Sequence, residues 1–128
     1  MIISHAFDYK KSKRSPLLLT FPHSGRNYRS TLKKLSHLNL NDLRKSEDSY
    51  LDLLLEKNYL NFNYIIANFP RIFVDVNRSP LEIDHTMWKG NFNSSRFFRS
   101  FRVNSGIGVI PKVSFEGINI YNELLLFN

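Results

Sequence analysis

Three short stretches of this chain bring together the side chains that metal-assisted or carboxylate-recognising chemistry needs. The first is PLLLTFPHSGRNY (16–28), in which an apolar run stops at Pro22 and His23, Ser24, Gly25 and Arg26 follow at once. An imidazole in that place can ligate a metal or move a proton. A glycine two residues on lets the backbone approach a ligand closely or turn sharply. The second stretch, SEDSYLDLLL (46–55), carries the adjacent carboxylates Glu47 and Asp48. In the first turn of a helix such acids cap free N–H groups and complement the dipole; beside a histidine they would be oxygen ligands. The third is RIFVDVNRSP (71–80), where Asp75 interrupts an apolar run and Asn77 and Arg78 follow. An acid inside a buried strand is costly unless it is paired or hydrogen-bonded. Two readings stand side by side: an internal ion pair between Asp75 and an arginine that holds the loop, or a guanidinium fork presented to a substrate carboxylate. His5, His37 and His85 show no metal-ligand spacing and read as surface residues, with acidic neighbours around His85 in EIDHTMW.

These groups need elements to hold them. Residues 16–21 read as a buried parallel strand, 22–30 as a loop, and 31–38 as one or two helical turns. The clearest helix is expected over 46–60, with Ser46 as N-cap, acids in its first turn, and Leu51, Leu54 and Leu55 on one face. Two strands, 64–69 and 71–77, are expected on either side of Pro70. Residues 78–105 show no firm period, and 106–115 and 117–121 read as one or two further strands. The strand, helix, strand order predicts an α/β fold with a mainly parallel sheet and flanking helices. In such sheets ligands bind outside the carboxyl ends of the strands, where His23 and the Asn77–Arg78 pair would both lie. Crossover geometry leaves the distance from His23 to Glu47 and Asp48 undetermined.

The chain has 128 residues, 42% of them hydrophobic and including eleven Phe and six Tyr, enough for one packed domain. It contains no cysteine, which excludes disulfides, thiolate nucleophiles and thiolate zinc sites. No apolar run is long enough to cross a bilayer, and the N-terminal charges follow rather than precede a short apolar stretch, the wrong order for a secretory signal. A cytoplasmic protein is expected. The net charge is +7, concentrated in Lys10, Lys11, Lys13 and Arg14 and in SSRFFRSFR, where Phe97, Phe98 and Phe101 interleave with Arg96, Arg99 and Arg102. Aromatics beside arginines can stack on bases. The preferred reading is an amphipathic segment that packs its Phe side and turns its arginines to water; the alternative is a basic nucleic-acid-binding module.

Taken together and in order, PLLLTFPHSGRNY, SEDSYLDLLL, RIFVDVNRSP and GIGVIPKVSFEGINIY resemble the N-formylglutamate amidohydrolase family from about residue 15 to residue 121. The resemblance implies a fold related to the zinc carboxypeptidases (phosphorylase/hydrolase-like) and a zinc-dependent hydrolase that cleaves the amide of an N-formyl or N-acyl amino acid in histidine breakdown. It implies His23 and Asp48, or Glu47 in its place, as zinc ligands. Arg78 with Asn77 would hold substrate carboxylates, Arg26 would assist, Asp75 would orient the arginine loop, and Gly25 would support the histidine loop. It also implies a longer chain whose third ligand and catalytic groups follow the IY element. Residues 1–128 are therefore expected to form one incomplete domain behind a basic segment (1–14), a truncated remnant with little activity alone or one completed by a second chain.

Overall fold

The computed structural model describes residues 5–28, 30–54, 61–90 and 93–126. Three short runs rich in β-branched, aromatic and leucine side chains pair into one sheet: β1 (Phe7–Lys10), β2 (Leu18–Phe21) and β3 (Asn63–Ala67), in the order β1-β3-β2. β2 runs parallel to β3, with Leu18 opposite Asn63 and Phe21 opposite Ile66. β1 runs antiparallel to β3, with Phe7 opposite Ala67 and Lys10 opposite Tyr64. The sheet is therefore mixed, and the basic N-terminal segment contributes an edge strand that its charges concealed.

A parallel pair requires a crossover. Among the described residues it carries three short helices: α1 (Ser30–Leu35), α2 (Leu40–Arg44) and α3 (Leu51–Leu54). α2 starts where Asn39 accepts a hydrogen bond from the Asp42 N–H at 3.0 Å, the usual N-cap arrangement. Leu32 of α1 and Leu43 of α2 meet Ile72 and Ile120 in a buried cluster, flanked by Tyr28, Leu38, Phe73 and Tyr121. Each of these four buried side chains contributes about 1.5–3 kcal/mol relative to exposure. The cluster joins the crossover to the C-terminal loops, which fixes both around the end of β2.

Several expected elements are not formed. Residues 71–77 are turns rather than a strand: Phe73 N donates to Pro70 O at 3.0 Å and Arg78 N to Asp75 O at 3.1 Å. Pro70 has no N–H for a ladder, and the chain folds back on itself immediately after it. The helix expected from Ser46 begins only at Leu51. Ser46 Oγ accepts from Phe115 N at 3.2 Å instead of capping a helix, and Tyr50 sits at φ 63°, a left-handed conformation that a helix interior does not allow. Leu51 and Leu54 are exposed, so the predicted apolar face does not pack; residues 55–60 of that expected helix lie outside the described residues. Residues 106–121 form turns with isolated bridges, Val113 to Asn119 and Ser36 to Tyr121, in place of strands. Within 78–105 the chain forms 3-10 turns at His85–Met87 and Ser94–Arg96, β4 (Trp88–Lys89), and α4 (Phe101–Asn104). β4 pairs in parallel with β5 (Leu125–Leu126). In SSRFFRSFR the arginines face water and Phe97 is half-buried as expected, but Phe98 and Phe101 do not turn inward and are 46% and 83% exposed. Among the described residues no helix is long and apolar enough to cross a membrane.

Candidate active site

β2 ends at Phe21, and the chain turns through Pro22 to place His23, buried, just past the strand's carboxyl end. Gly25 makes this possible. A Cβ at that position would lie 2.1 Å from Phe69 O, so only glycine lets the loop lie against the end of β3. Asn27 N then donates to Asn68 O at 2.9 Å and locks the loop there.

Both ring nitrogens of His23 face carboxylates. Nδ1 is 3.1 Å from Asp48 Oδ2 and Nε2 is 2.8 Å from Asp75 Oδ1. Asp48 reaches the ring because its own N–H donates to His23 O at 3.2 Å. Asp75 is buried and accepts further hydrogen bonds from Asn77 N at 3.0 Å and Arg71 Nη2 at 2.9 Å, with Arg78 Nη2 3.6 Å away. Burial pushes the Asp75 carboxyl up. The hydrogen bonds from His23 and Asn77, with the charges of His23 and Arg71, outweigh it and hold the group at about 2. Arg71 closes a ring of four side chains, since its Nη1 lies 3.5 Å from Asp48 Oδ1.

Arg71 is the site residue that sequence reasoning missed. Its signal is its position four residues before Asp75 in RIFVD, which on a tight turn brings guanidinium and carboxylate together. Of the two readings of that stretch, the internal Asp75–arginine pair is present in the structure. Arg78 is nearly buried and gives Nε to Ile107 O at 3.3 Å and Nη1 to Asn77 O at 2.9 Å, while Asn77 is exposed. Arg26 does not join the ring. It forms a two-pronged pair with Asp52 at 3.1 and 2.9 Å and stacks over Tyr50 at 5.0 Å.

The two adjacent acids part company. The Glu47 side chain, only 1% exposed, accepts from Tyr28 OH at 2.8 Å and Arg44 Nε at 3.2 Å, and from Ser49 Oγ at 3.1 Å. Burial and that Glu47 bond push the Tyr28 phenol well above its usual range. Asp48 is 42% exposed and carries the histidine contact. A cleft of about 380 Å³ opens beside the ring, lined by Ser46, Arg71, Asp75, Ile107, Val113 and Phe115 among others.

Could these groups hold zinc? Two donors near 2 Å from one ion stand about 3 Å apart, the spacing of His23 Nδ1 and Asp48 Oδ2. A metal-ligating histidine usually donates its other ring N–H to a carboxylate, which fixes tautomer and orientation; Asp75 stands where that acceptor belongs. The same 3.1 Å separation of His23 and Asp48 is also that of a direct hydrogen bond between the two. Among the described residues no group of three His, Asp or Glu side chains is arranged to hold a metal.

Comparison with known proteins agrees with this architecture. A crystal structure of N-formylglutamate amidohydrolase from Ralstonia eutropha JMP134, at 2.00 Å resolution, superposes with a TM-score of 0.81 at 25% identity. The match covers 94% of this chain and 43% of that one, so the chain spans less than half the length of its solved relative. No curated protein sequence matches it. The sequence profile described as N-formylglutamate amidohydrolase matches residues 15–127, nearly the whole chain and all four motifs around the His23 ring, and the chain belongs to the N-formylglutamate amidohydrolase family.

Proposed function

We propose that this chain supplies His23 and Asp48 as two protein ligands of zinc in a site that hydrolyses the amide of an N-formyl or N-acyl amino acid. The observation that carries the reading is His23 suspended between an accessible carboxylate and a buried one. Bound there, zinc would supply Lewis acidity toward the amide carbonyl and a nucleophile at neutral pH. Asp75 would accept the Nε2–H of His23 and so keep Nδ1 free as a donor. Arg71 holds Asp48 and Asp75 in place from the cleft side. The substrate carboxylate would be received by Arg71, which lines the cleft, with Arg78 behind Asp75; Asn77 faces a separate pocket with Phe21 and Val76. Glu47, engaged with Tyr28 and Arg44, would support the loop rather than bind metal.

Kinship with the zinc carboxypeptidases belongs to the same reading, supported by the histidine held through its second nitrogen. So does a role in histidine breakdown in the cytoplasm, for which a cysteine-free chain is suited. A catalytic zinc takes three protein ligands. With two, residues 1–128 would turn over little by themselves, and a third ligand would have to come from outside them, for instance from a second chain. The test is formate release from N-formyl-L-glutamate with zinc added, beside zinc retention by the parent chain and His23→Ala. The expected result is little or no turnover by the chain alone and zinc retention that depends on His23. Substantial turnover that survives His23→Ala, or retention indifferent to it, contradicts the proposal.

A further inference from the structure

The Arg–Phe segment takes no part in the site above. Arg96, Arg99 and Arg102 are all exposed, and the ion pairs among the described residues lie elsewhere. Arg102 is near enough to Glu82 to help hold that carboxyl low, but the hydrogen bonds of Glu82 go to Ser100 and to Ser79 N. Between the guanidiniums, Phe98 and Phe101 turn their rings to water, where an unpartnered aromatic ring forgoes the burial that usually stabilises it.

The backbone carrying these rings is fixed. Phe98 N donates to Leu81 O at 3.1 Å, and Ser100 Oγ accepts from Val103 N at 3.2 Å while donating to buried Glu82. Val103 is buried beneath, and Ile107 N donates to Arg102 O at 2.9 Å. Arg99 reaches His85, with Nη2 2.9 Å from Nδ1, which extends the patch by one more flat ring. Exposed rings on a pinned backbone lose little freedom when something stacks on them.

We propose that Arg96, Phe98, Arg99, Phe101 and Arg102 form a binding surface for single-stranded nucleic acid, the rings stacking on bases and the guanidiniums pairing with phosphates. The cations recur every three residues in sequence with aromatic rings between them, the residue types that phosphates and unstacked bases take. A duplex hides those base faces. The net charge of +7 draws such a partner in. This inference stands independently of the zinc reading.

The test is fluorescence anisotropy with a labelled oligothymidylate of about 15 nucleotides, using the full chain and folding-checked variants. Three phosphate contacts at a slope of about −0.7 each predict an affinity falling roughly 20-fold between about 50 and 200 mM salt. Arg96→Ala/Arg99→Ala/Arg102→Ala flattens that slope. Phe98→Ala and Phe101→Ala each weaken binding roughly tenfold without changing it, and a duplex of the same length binds more weakly and ignores both substitutions. Lys11→Ala/Lys13→Ala leaves most of the affinity. The proposal is overturned if no binding is seen at low salt, if the Phe variants bind like the parent, or if the lysine variant alone abolishes binding. It is also overturned if anionic phospholipid vesicles bind through these residues while the oligonucleotide does not.

Discussion

Asp75→Asn removes one negative charge from the ring of His23, Asp48, Arg71 and Asp75. The substitution keeps the size of the side chain and leaves the backbone bond from Asp75 N to Val109 O at 2.8 Å untouched. What it removes is the charge and one of two acceptor oxygens: Oδ1 takes His23 and Asn77 N, Oδ2 takes Arg71, and an amide keeps only one of them as an acceptor. A carboxyl held at about 2, against an ordinary 3.8, contributes roughly 2.5 kcal/mol at neutral pH. Breaking a buried pair by removing one partner costs about 3–5 kcal/mol, and the part-exposed Arg71 brings the expectation to the lower end. The loss is therefore about 2–3 kcal/mol, read as the urea midpoint by circular dichroism with chelator present. Because the folded value lies below the unfolded one, this contribution is complete above the unfolded carboxyl range. It is lost as pH falls from there toward about 2. The gap between parent and variant should thus be full near about pH 6 and shrink on acidification to about pH 3. A gap below about 0.5 kcal/mol at neutral pH, a value ordinary for surface substitutions, or one that widens in acid, refutes the reasoning.

Four further substitutions test the structural and the metal-binding roles. Gly25→Ala drives a Cβ into Phe69 O and is expected to cost at least about 3 kcal/mol, visible as loss of the cooperative denaturation transition. Glu47→Gln disturbs the Tyr28 and Arg44 bonds and should cost about 1–3 kcal/mol in urea while leaving zinc affinity as it was; Asp48→Asn should do the reverse. Ser100→Ala removes the α4 cap and the partner of Glu82, with an expected cost of about 1 kcal/mol by thermal denaturation.

What the sequence disclosed depended on how local the cause was. The apolar run that became β2, the loop after it, and the core of β3 follow from residue type over a few positions, and so does Gly25. Two expected strands failed because IFV and VIP mimic strand composition, while Pro70 and the left-handed Gly106 and Gly117 (φ 77°) bend the chain into turns. The long helix failed because Ser46 found a distant partner in Phe115 and Tyr50 took a left-handed conformation. The residue types of the site were all visible, but their distances were not: His23 meets partners 25 and 52 positions away. The separate placements of Glu47 and Asp48 depend on Tyr28 and on the His23 carbonyl, which no local pattern reveals. Arg71 stayed hidden because its role needs a turn where a strand was expected.

The central claim is that His23 and Asp48 together hold a divalent cation. Calorimetric titration of the metal-free chain with zinc, run beside His23→Ala and Asp48→Asn, tests it most directly. The parent is expected to bind one zinc per chain saturably and both variants to lose that binding, with each variant's fold intact by circular dichroism. Zinc binding of equal strength in all three proteins, or none in the parent, would contradict it.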